Sequence, residues 1–399
     1  MPKKVLILAL VLYLTSSIVS YFSFRALAKQ STQVAQQESE LEGLLEQEED
    51  LILDISPDEK KTEACPLNGK LFTKTEKEAW EKRRPLAVMI ENHPDSRPQS
   101  GFTNSDIVFE AIAEGGVTRF MGMYYCDAQR KDIELAPIRS ARTYFINFAS
   151  GFYWPLYVHV GGANLPGLSD ALGQLSDYGW VGDNDLNQFS IGYPVFVRDY
   201  NRLGKDKDLA TEHTMVTSTE KLWQYAAEER EWTNLNPDRR ISRSLTGEAD
   251  WNEEYEGWSF EDKKGEVGEA TTVSYDFWSG YDDYSVKWEY NPETNAYRRF
   301  MANQPHIDLN NDQQIEASNV IVFLTDEKGP INEKKHMLYR TEGTGKALVF
   351  KNGQAINATW NKKTRESELS FTDSKGKDLK FARGLTWVSV IDKGNEVSY

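Results

Sequence analysis

Apolar positions along this chain change their pattern three times. Residues 5–24 form one apolar run, broken only by the hydroxyl residues Thr15, Ser16, Ser17, Ser20 and Ser23. Residues 30–64 are polar and rich in Gln and Glu, with a weak leucine stripe at Leu41, Leu44, Leu45 and Leu51. From Cys65 onward the apolar residues fall into short runs separated by turn chemistry. The run at 86–91, between Pro85 and Asn92, predicts a buried strand. Two more runs, 106–113 and 119–125, flank Glu114-Gly115-Gly116, which predicts a hairpin. After Pro137, the residues Phe145, Phe148, Ala149 and Phe152 recur at helical spacing, with Ser140 placed as the N-cap. Residues 156–160 predict another strand, ending at Gly161-Gly162. Helices are expected over 75–83, around 169–178, and from the capping box Thr217-Ser218-Thr219-Glu220 to about residue 231.

Past the polar stretch 232–250, with Thr246-Gly247-Glu248 as a connector, the helical signal vanishes. Runs of strand length follow at 271–278, 285–290, 296–301, 319–324, 346–350, 355–360, 368–371 and 386–391. Residues 291–295 and Lys351-Asn352-Gly353 are turn signals between them. The pattern predicts an α+β protein. A mixed domain over 65–245 precedes a mainly antiparallel sheet or small barrel over 260–395.

The first run is long enough to cross a bilayer as a helix, since about 20 residues suffice. Lys3 and Lys4 precede it and favour a cytoplasmic N-terminus. Residues 1–29 are therefore read as a signal anchor or transmembrane segment, and 30–64 as an acidic linker. The alternative is cleavage at Ala26-Leu27-Ala28. Either way the rest of the chain lies outside the cytoplasm, as a single-pass protein of the plasma membrane if the anchor stays. No cysteine lies near the end of the run, so acylation of a cysteine there is excluded.

The net charge of −16 argues against nucleic acid as a partner and against anionic lipid headgroups as a docking surface. Outside the cytoplasm, the chain's two cysteines, Cys65 and Cys126, suit one disulfide; two buried thiols are the alternative. Such a bridge closes a loop of about 60 residues and stabilises by roughly 3–4 kcal/mol.

Candidate chemistry gathers around Pro137-Ile138-Arg139-Ser140-Ala141-Arg142. Two guanidinium groups beside a helix start suit a carboxylate or phosphate, because arginine recognises both by bidentate bonds. The alternative is that Arg139 and Arg142 pair with glutamates of their own domain. Arg119 opens a strand near Glu110 and Glu114, while Asn92 and Gln99 supply polar loop groups. His159 interrupts a strand just before Gly161-Gly162, and Glu212-His213 places a second histidine beside a carboxylate. No nucleophile elbow, zinc-protease helix or P-loop is present. Asp308-x-Asn310-x-Asp312 starts like a calcium loop, but Gln313 replaces its glycine and Asn319 its terminal glutamate, so a polar hairpin loop is the better reading. No metal ligands and no cofactor are assigned.

Several blocks together resemble the YerB-like bacterial envelope proteins. They are Arg84-Pro85-Leu86-Ala87-Val88-Met89-Ile90-Glu91-Asn92-His93, Arg97-Pro98-Gln99-Ser100-Gly101, Asp106-Ile107-Val108-Phe109-Glu110, Glu114-Gly115-Gly116-Val117-Thr118-Arg119-Phe120 and the Arg139–Arg142 block. Later matches include Tyr290-Asn291-Pro292, Pro305-His306-Ile307-Asp308 and Gly345-Lys346-Ala347. The resemblance spans about residues 65–395. It implies an extracytoplasmic, membrane-tethered bacterial protein in two parts, and it carries over no catalytic residues. Many members of that family resemble lipoproteins, whereas this chain has the apolar N-terminal segment instead.

The expected function is a membrane-anchored envelope protein that binds an anionic ligand, a cell-wall fragment or a partner protein. Arg119, Arg139, Ser140 and Arg142 form the anion site, with Asn92, Gln99, Glu110, Glu114 and His159 around it. The alternative is an envelope hydrolase or transferase with Glu110 or Glu114 as acid–base and His159 or His213 assisting. A third reading is a structural spacer or assembly factor, which predicts an exposed apolar patch and no polar pocket.

Overall fold

A computed structural model describes residues 51–235, 251, 255–262 and 268–399. The segment read as an anchor, most of the acidic linker and the 246–248 connector lie outside the described residues. Among the described residues, no helix is long and apolar enough to cross a membrane.

The buried run after Pro85 is strand β1, Leu86–Glu91, with every residue buried. The next two runs are β2, Ile107–Glu114, and β3, Val117–Tyr124. Gly115 and Gly116 join them with φ of 53° and 91°. Two successive positive φ values are what a two-residue hairpin turn requires, and glycine meets that need without steric cost. Strands β4, Leu156–His159, and β5, Asp185–Asn187, follow. The second half contributes β6, Thr272–Tyr275, β7, Val286–Asn291, and β8, Ala296–Met301. It continues with β9, Asn319–Thr325, β10, Gly343–Lys351, β11, Gln354–Lys362, and β12, Ser370–Thr372. Strands β13, Thr386–Asp392, and β14, Val397–Ser398, end it.

One ten-stranded sheet runs through both halves in the order β12-β11-β10-β9-β13-β2-β3-β1-β4-β5. The seam is the parallel pair β13–β2, with Thr386 opposite Ile107 and Ser389 opposite Glu110. Strand β13 is also parallel to β9, so the C-terminal half is neither purely antiparallel nor a closed barrel. A second sheet holds β8-β7-β6-β14, with short strands at Gln304–Pro305 and Glu316–Ala317 paired to β8. Leu53–Tyr399 pack as one compact unit.

Among the described residues, helices are few and short. Helix α1, Lys74–Trp80, starts with a full capping box between Thr73 and Glu76. Helix α2, Thr143–Ala149, lies on the ten-stranded sheet, where its Phe148 stacks on Phe109 of β2 at 4.9 Å. Helices α3, Ala171–Asp177, and α4, Gln188–Ile191, flank β5. Helix α5, Thr219–Arg230, begins one residue past the expected cap: Ser218 is the N-cap, the Thr217 hydroxyl donates instead to the Val195 carbonyl at 2.8 Å, and the capping box does not form. Asp132 takes its place, accepting from Ser218 Oγ at 2.8 Å and from the Glu220 N–H at 2.9 Å.

Ser140 is not an N-cap. Residues 138–141 run extended across the ends of the sheet and use their backbone there. Arg139 N–H donates to Met89 at 2.8 Å, Ala141 N–H to Gly161 at 2.9 Å, and Val160 N–H to Arg139 at 3.1 Å. The helix starts only after Arg142, which has extended angles and no side-chain cap bond. Cys65 and Cys126 are joined by a disulfide, with Cα atoms 6.0 Å apart. Beside it Asp106 is fully buried, which drives its pKa well up.

Candidate functional site

Strand alternation sorts the polar residues onto two faces of the ten-stranded sheet. Glu91 lies opposite Arg119, while Ile90 and Glu110 both lie opposite Phe120. Glu91 and Arg119 thus share one face and Glu110 points to the other. Glu114, four residues after Glu110, would share its face in a regular strand. A bulge between Ile112 and Glu114 shifts the register, so Glu114 pairs with Val117 and turns to the Arg119 face.

The Glu110 face meets the second sheet, and there the polar groups close a ring. Arg299 of β8 donates to Glu110 Oε2 at 2.8 Å and, through Nε, to His306 Nδ1 at 2.9 Å. His306 Nε2–H donates to Gln99 Oε1 at 2.9 Å. Gln99 Nε2–H donates to Asn92 Oδ1 at 3.0 Å, and Asn92 Nδ2–H to Thr118 Oγ1 at 2.6 Å. The Thr118 hydroxyl returns to Glu110 Oε1 at 3.1 Å, and Trp387 Nε1–H adds a bond to Oε2 at 3.1 Å. Glu110 and Arg299 have no exposed surface. The Arg299 guanidinium lies 4.3 Å from the Trp387 ring centre. Burial pushes the Glu110 carboxyl up despite Arg299, and burial plus Arg299 and Arg97 pushes His306 well down. A neutral His306 fits the ring, accepting at Nδ1 and donating at Nε2. Asn92, Gln99 and Glu110, expected around an anion pocket, are therefore spent on an internal seam. A fully buried carboxylate in this sequence context had to find a cation, and the nearest one in space comes from 189 residues away.

The opposite face carries the arginines. Arg119 donates to Glu114 Oε1 at 2.8 Å and to the Ser140 carbonyl at 3.1 Å. Arg142 bonds Glu114 Oε2 and donates to the Ala141 carbonyl. Burial alone would raise the Glu114 carboxyl, but Arg119 and Arg142 outweigh it and hold it down at about 2, with Arg139 adding to the effect. Arg139 Nε lies 3.2 Å from Glu91 Oε1. The other Glu91 oxygen, Oε2, takes His213 Nδ1 at 2.8 Å, a bond that holds the His213 pKa above its ordinary value. Glu114 keeps 29% of its side chain exposed and Arg139 25%, whereas Arg119 and Arg142 are buried.

His159 is away from this exposed edge. It is fully buried, with Nδ1 at 2.6 Å from the Gly161 carbonyl and Nε2 at 2.5 Å from Asp185. It fixes the Gly161 loop whose carbonyl accepts from Ala141, so it braces the arginine segment from behind. Asp308 accepts from the N–H groups of Gly101 and Thr103 at 2.9 and 2.7 Å, which makes it a loop anchor. Sequence reasoning did not assign His93 and Asp95 a role. His93 stacks on His213 with ring centres 5.0 Å apart, and its Nδ1 lies 3.6 Å from Asp95 Oδ2. The His-Pro-Asp run after β1 is visible in the sequence, but nothing there indicates that His213 folds back onto it.

Two family models match the chain, the N-terminal domain of a protein of unknown function (DUF3048) over residues 72–233 and its C-terminal domain over 273–388. The chain belongs to the DUF3048 family. A Bacillus subtilis (strain 168) relative, "Putative lipoprotein YerB", is 27% identical over 340 residues, which is 85% of this chain and 89% of the relative. The crystal structure of the YerB protein from Bacillus subtilis is matched with a TM-score of 0.64 at 23% identity, over 85% of this chain and 100% of that one. The resemblance read from the sequence blocks is thus the family the chain belongs to, and the shared fold covers both DUF3048 parts. The Glu110–Arg299 seam joins them: Asn92, Gln99, Glu110 and Thr118 fall in the first match, Arg299, His306 and Trp387 in the second.

Proposed function

We propose that this DUF3048 protein is a membrane-tethered, extracytoplasmic envelope protein that binds an anionic ligand at the Arg119–Arg139–Arg142 cluster. The observation that carries the reading is an excess of guanidinium donors. Arg119 and Arg142 share the single carboxylate Glu114, and Arg139 lies against Glu91 with Glu212 near it. The Nε–H groups of all three lack a hydrogen-bond acceptor. Two guanidinium groups on one carboxylate, with donors left unfilled, suit one further carboxylate or phosphate. The apolar run at 5–24 and a relative named as a lipoprotein support the tether. Residues 65–245 and 260–395 form the extracytoplasmic body in this reading.

Anionic cell-wall material is the ligand class that matches the location. Of the acid–base candidates of the enzymatic alternative, Glu110 and His159 are fully buried and partnered, while Glu114 is paired with Arg119 and Arg142 and His213 with Glu91, which favours binding over that alternative. Co-sedimentation of the detergent-solubilised full-length chain with wall sacculi tests it, using sacculi with and without their anionic polymers. Binding is expected to intact sacculi only, to weaken with salt, and to drop in Arg139→Ala, whose side chain is partly exposed. Unchanged sedimentation of Arg139→Ala and of the Arg139→Ala/Arg142→Ala pair sinks the site.

A further inference from the structure

We propose that His93, Asp95 and His213 form a binding site for a borderline divalent metal ion such as Zn²⁺, with Glu91 as the carboxylate that orients His213. The three side chains each offer a ligand atom, and these atoms lie within 4.8 Å of one another. Two imidazoles and one carboxylate are a donor set that zinc accepts, with a fourth position left for water.

The group that orients His213 is already in place. Glu91 Oε2 accepts from His213 Nδ1–H at 2.8 Å, which leaves the Nε2 lone pair as the one available to a metal. A carboxylate behind a histidine is the arrangement that fixes tautomer and ring direction at zinc sites. Glu91 is itself held, being buried and 3.2 Å from Arg139. The three ligands also differ in mobility in a useful way. His213 is buried, with its ring anchored to Glu91, whereas His93 and Asp95 have 41% and 76% of their side chains exposed.

The site must contract to bind. Zn–N bonds of about 2.0–2.1 Å in a tetrahedron place ligand atoms roughly 3.3 Å apart. Near-parallel stacking of the rings, at 19°, also has to give way, since a metal lies in the plane of each imidazole. Both changes need rotation of His93, the N-cap of the short 3-10 turn Pro94–Ser96, and of Asp95 within that turn, with loss of the long 3.3 Å bond from the Asp95 N–H to His93 Nδ1. Electrostatics favour the ion. Glu91, Asp95 and Glu212, the last close enough to act on both histidines, supply three negative charges against Arg139 and the more distant Arg202. The metal site and the anion reading use different oxygens of Glu91, Oε2 through His213 and Oε1 beside Arg139.

The test uses the untagged full-length chain in detergent, with Zn²⁺ in competition with a chromophoric chelator. Co²⁺ is the spectroscopic probe. One equivalent of Zn²⁺ is expected, with visible Co²⁺ bands of a four-coordinate nitrogen–oxygen site that Zn²⁺ displaces. His93→Ala, at a partly exposed position, should keep the wild-type circular dichroism and lower affinity at least about 10-fold, and Glu91→Gln by about 10–100-fold. Arg139→Ala should still take up the metal. A wild-type chain that takes up no Zn²⁺ overturns the proposal. So does wild-type affinity in both His93→Ala and Asp95→Asn, which would put the metal elsewhere.

Discussion

Glu110 and Glu114 lie four residues apart on the same strand and end in opposite electrostatic situations. Glu110 is sealed between two sheets with one arginine, and burial raises its pKa. Glu114 sits at the strand end, 29% exposed, between two arginines that lower its pKa to about 2. A single bulge separates them, because it turns Glu114 to the other face. The contrast shows that desolvation and charge pairing compete at every buried carboxylate, and that the number of cations and the access of water decide which wins. It also separates two roles. The Glu110 ring ties the two DUF3048 parts together, whereas Glu114 keeps part of its side chain in contact with solvent.

The largest effect should come from breaking the seam. Arg299→Ala leaves Glu110 buried without its cation and should cost about 3–5 kcal/mol, measured by urea unfolding. The double replacement Glu110→Leu/Arg299→Met should cost far less than the two single changes summed, since it removes both charges from a site too dry to solvate either. Additive losses would mean that the ring matters less than its shape.

A smaller effect is expected at Glu114, and pH gives its sign. The folded carboxyl titrates at about 2, below its ordinary 4.5. Its stabilisation is therefore fully present above pH 4.5 and is lost as the pH falls toward 2, at most about 3 kcal/mol. Glu114→Gln should remove that slope. Glu110 has the opposite sign. Its raised pKa means that stability grows as the pH falls from the raised value toward 4.5, a gain that Glu110→Gln should abolish. Unfolding curves of both variants at stepped pH distinguish these slopes, and equal slopes would erase the comparison.

The smallest effect belongs to Arg139. Its pair with Glu91 is partly exposed, and Arg139→Ala should cost less than about 1 kcal/mol by thermal or urea unfolding. A loss as large as that at Arg299 would make Arg139 a structural residue and weaken its assignment to a ligand.

Much of the fold was legible in the pattern. The runs at 86–91 and 296–301 became strands with those bounds, and Gly115-Gly116 and Asn352-Gly353 became two-residue turns, because local alternation and φ preference act within a few residues. The Cys65–Cys126 pair is likewise joined. The failures were of another kind. Ser140 looked like an N-cap, but its neighbours' backbone groups were claimed by Met89 and Gly161 from elsewhere in the sheet. The antiparallel C-terminal sheet had no sign of β13 inserting in parallel beside β2, since strand pairing leaves little trace in either strand alone.

By itself, the sequence determined the strand-rich α+β character, the main turns, the family and the set of arginines and glutamates that had to find partners. Only the tertiary structure decided which partner each one took. Arg119 and Arg142 share Glu114, Arg139 and His213 share Glu91, and Glu110 meets Arg299 from the far half of the chain. The physical reason is that side-chain preferences are local, whereas the pairing of buried charges depends on which faces meet and on one extra residue in a bulge.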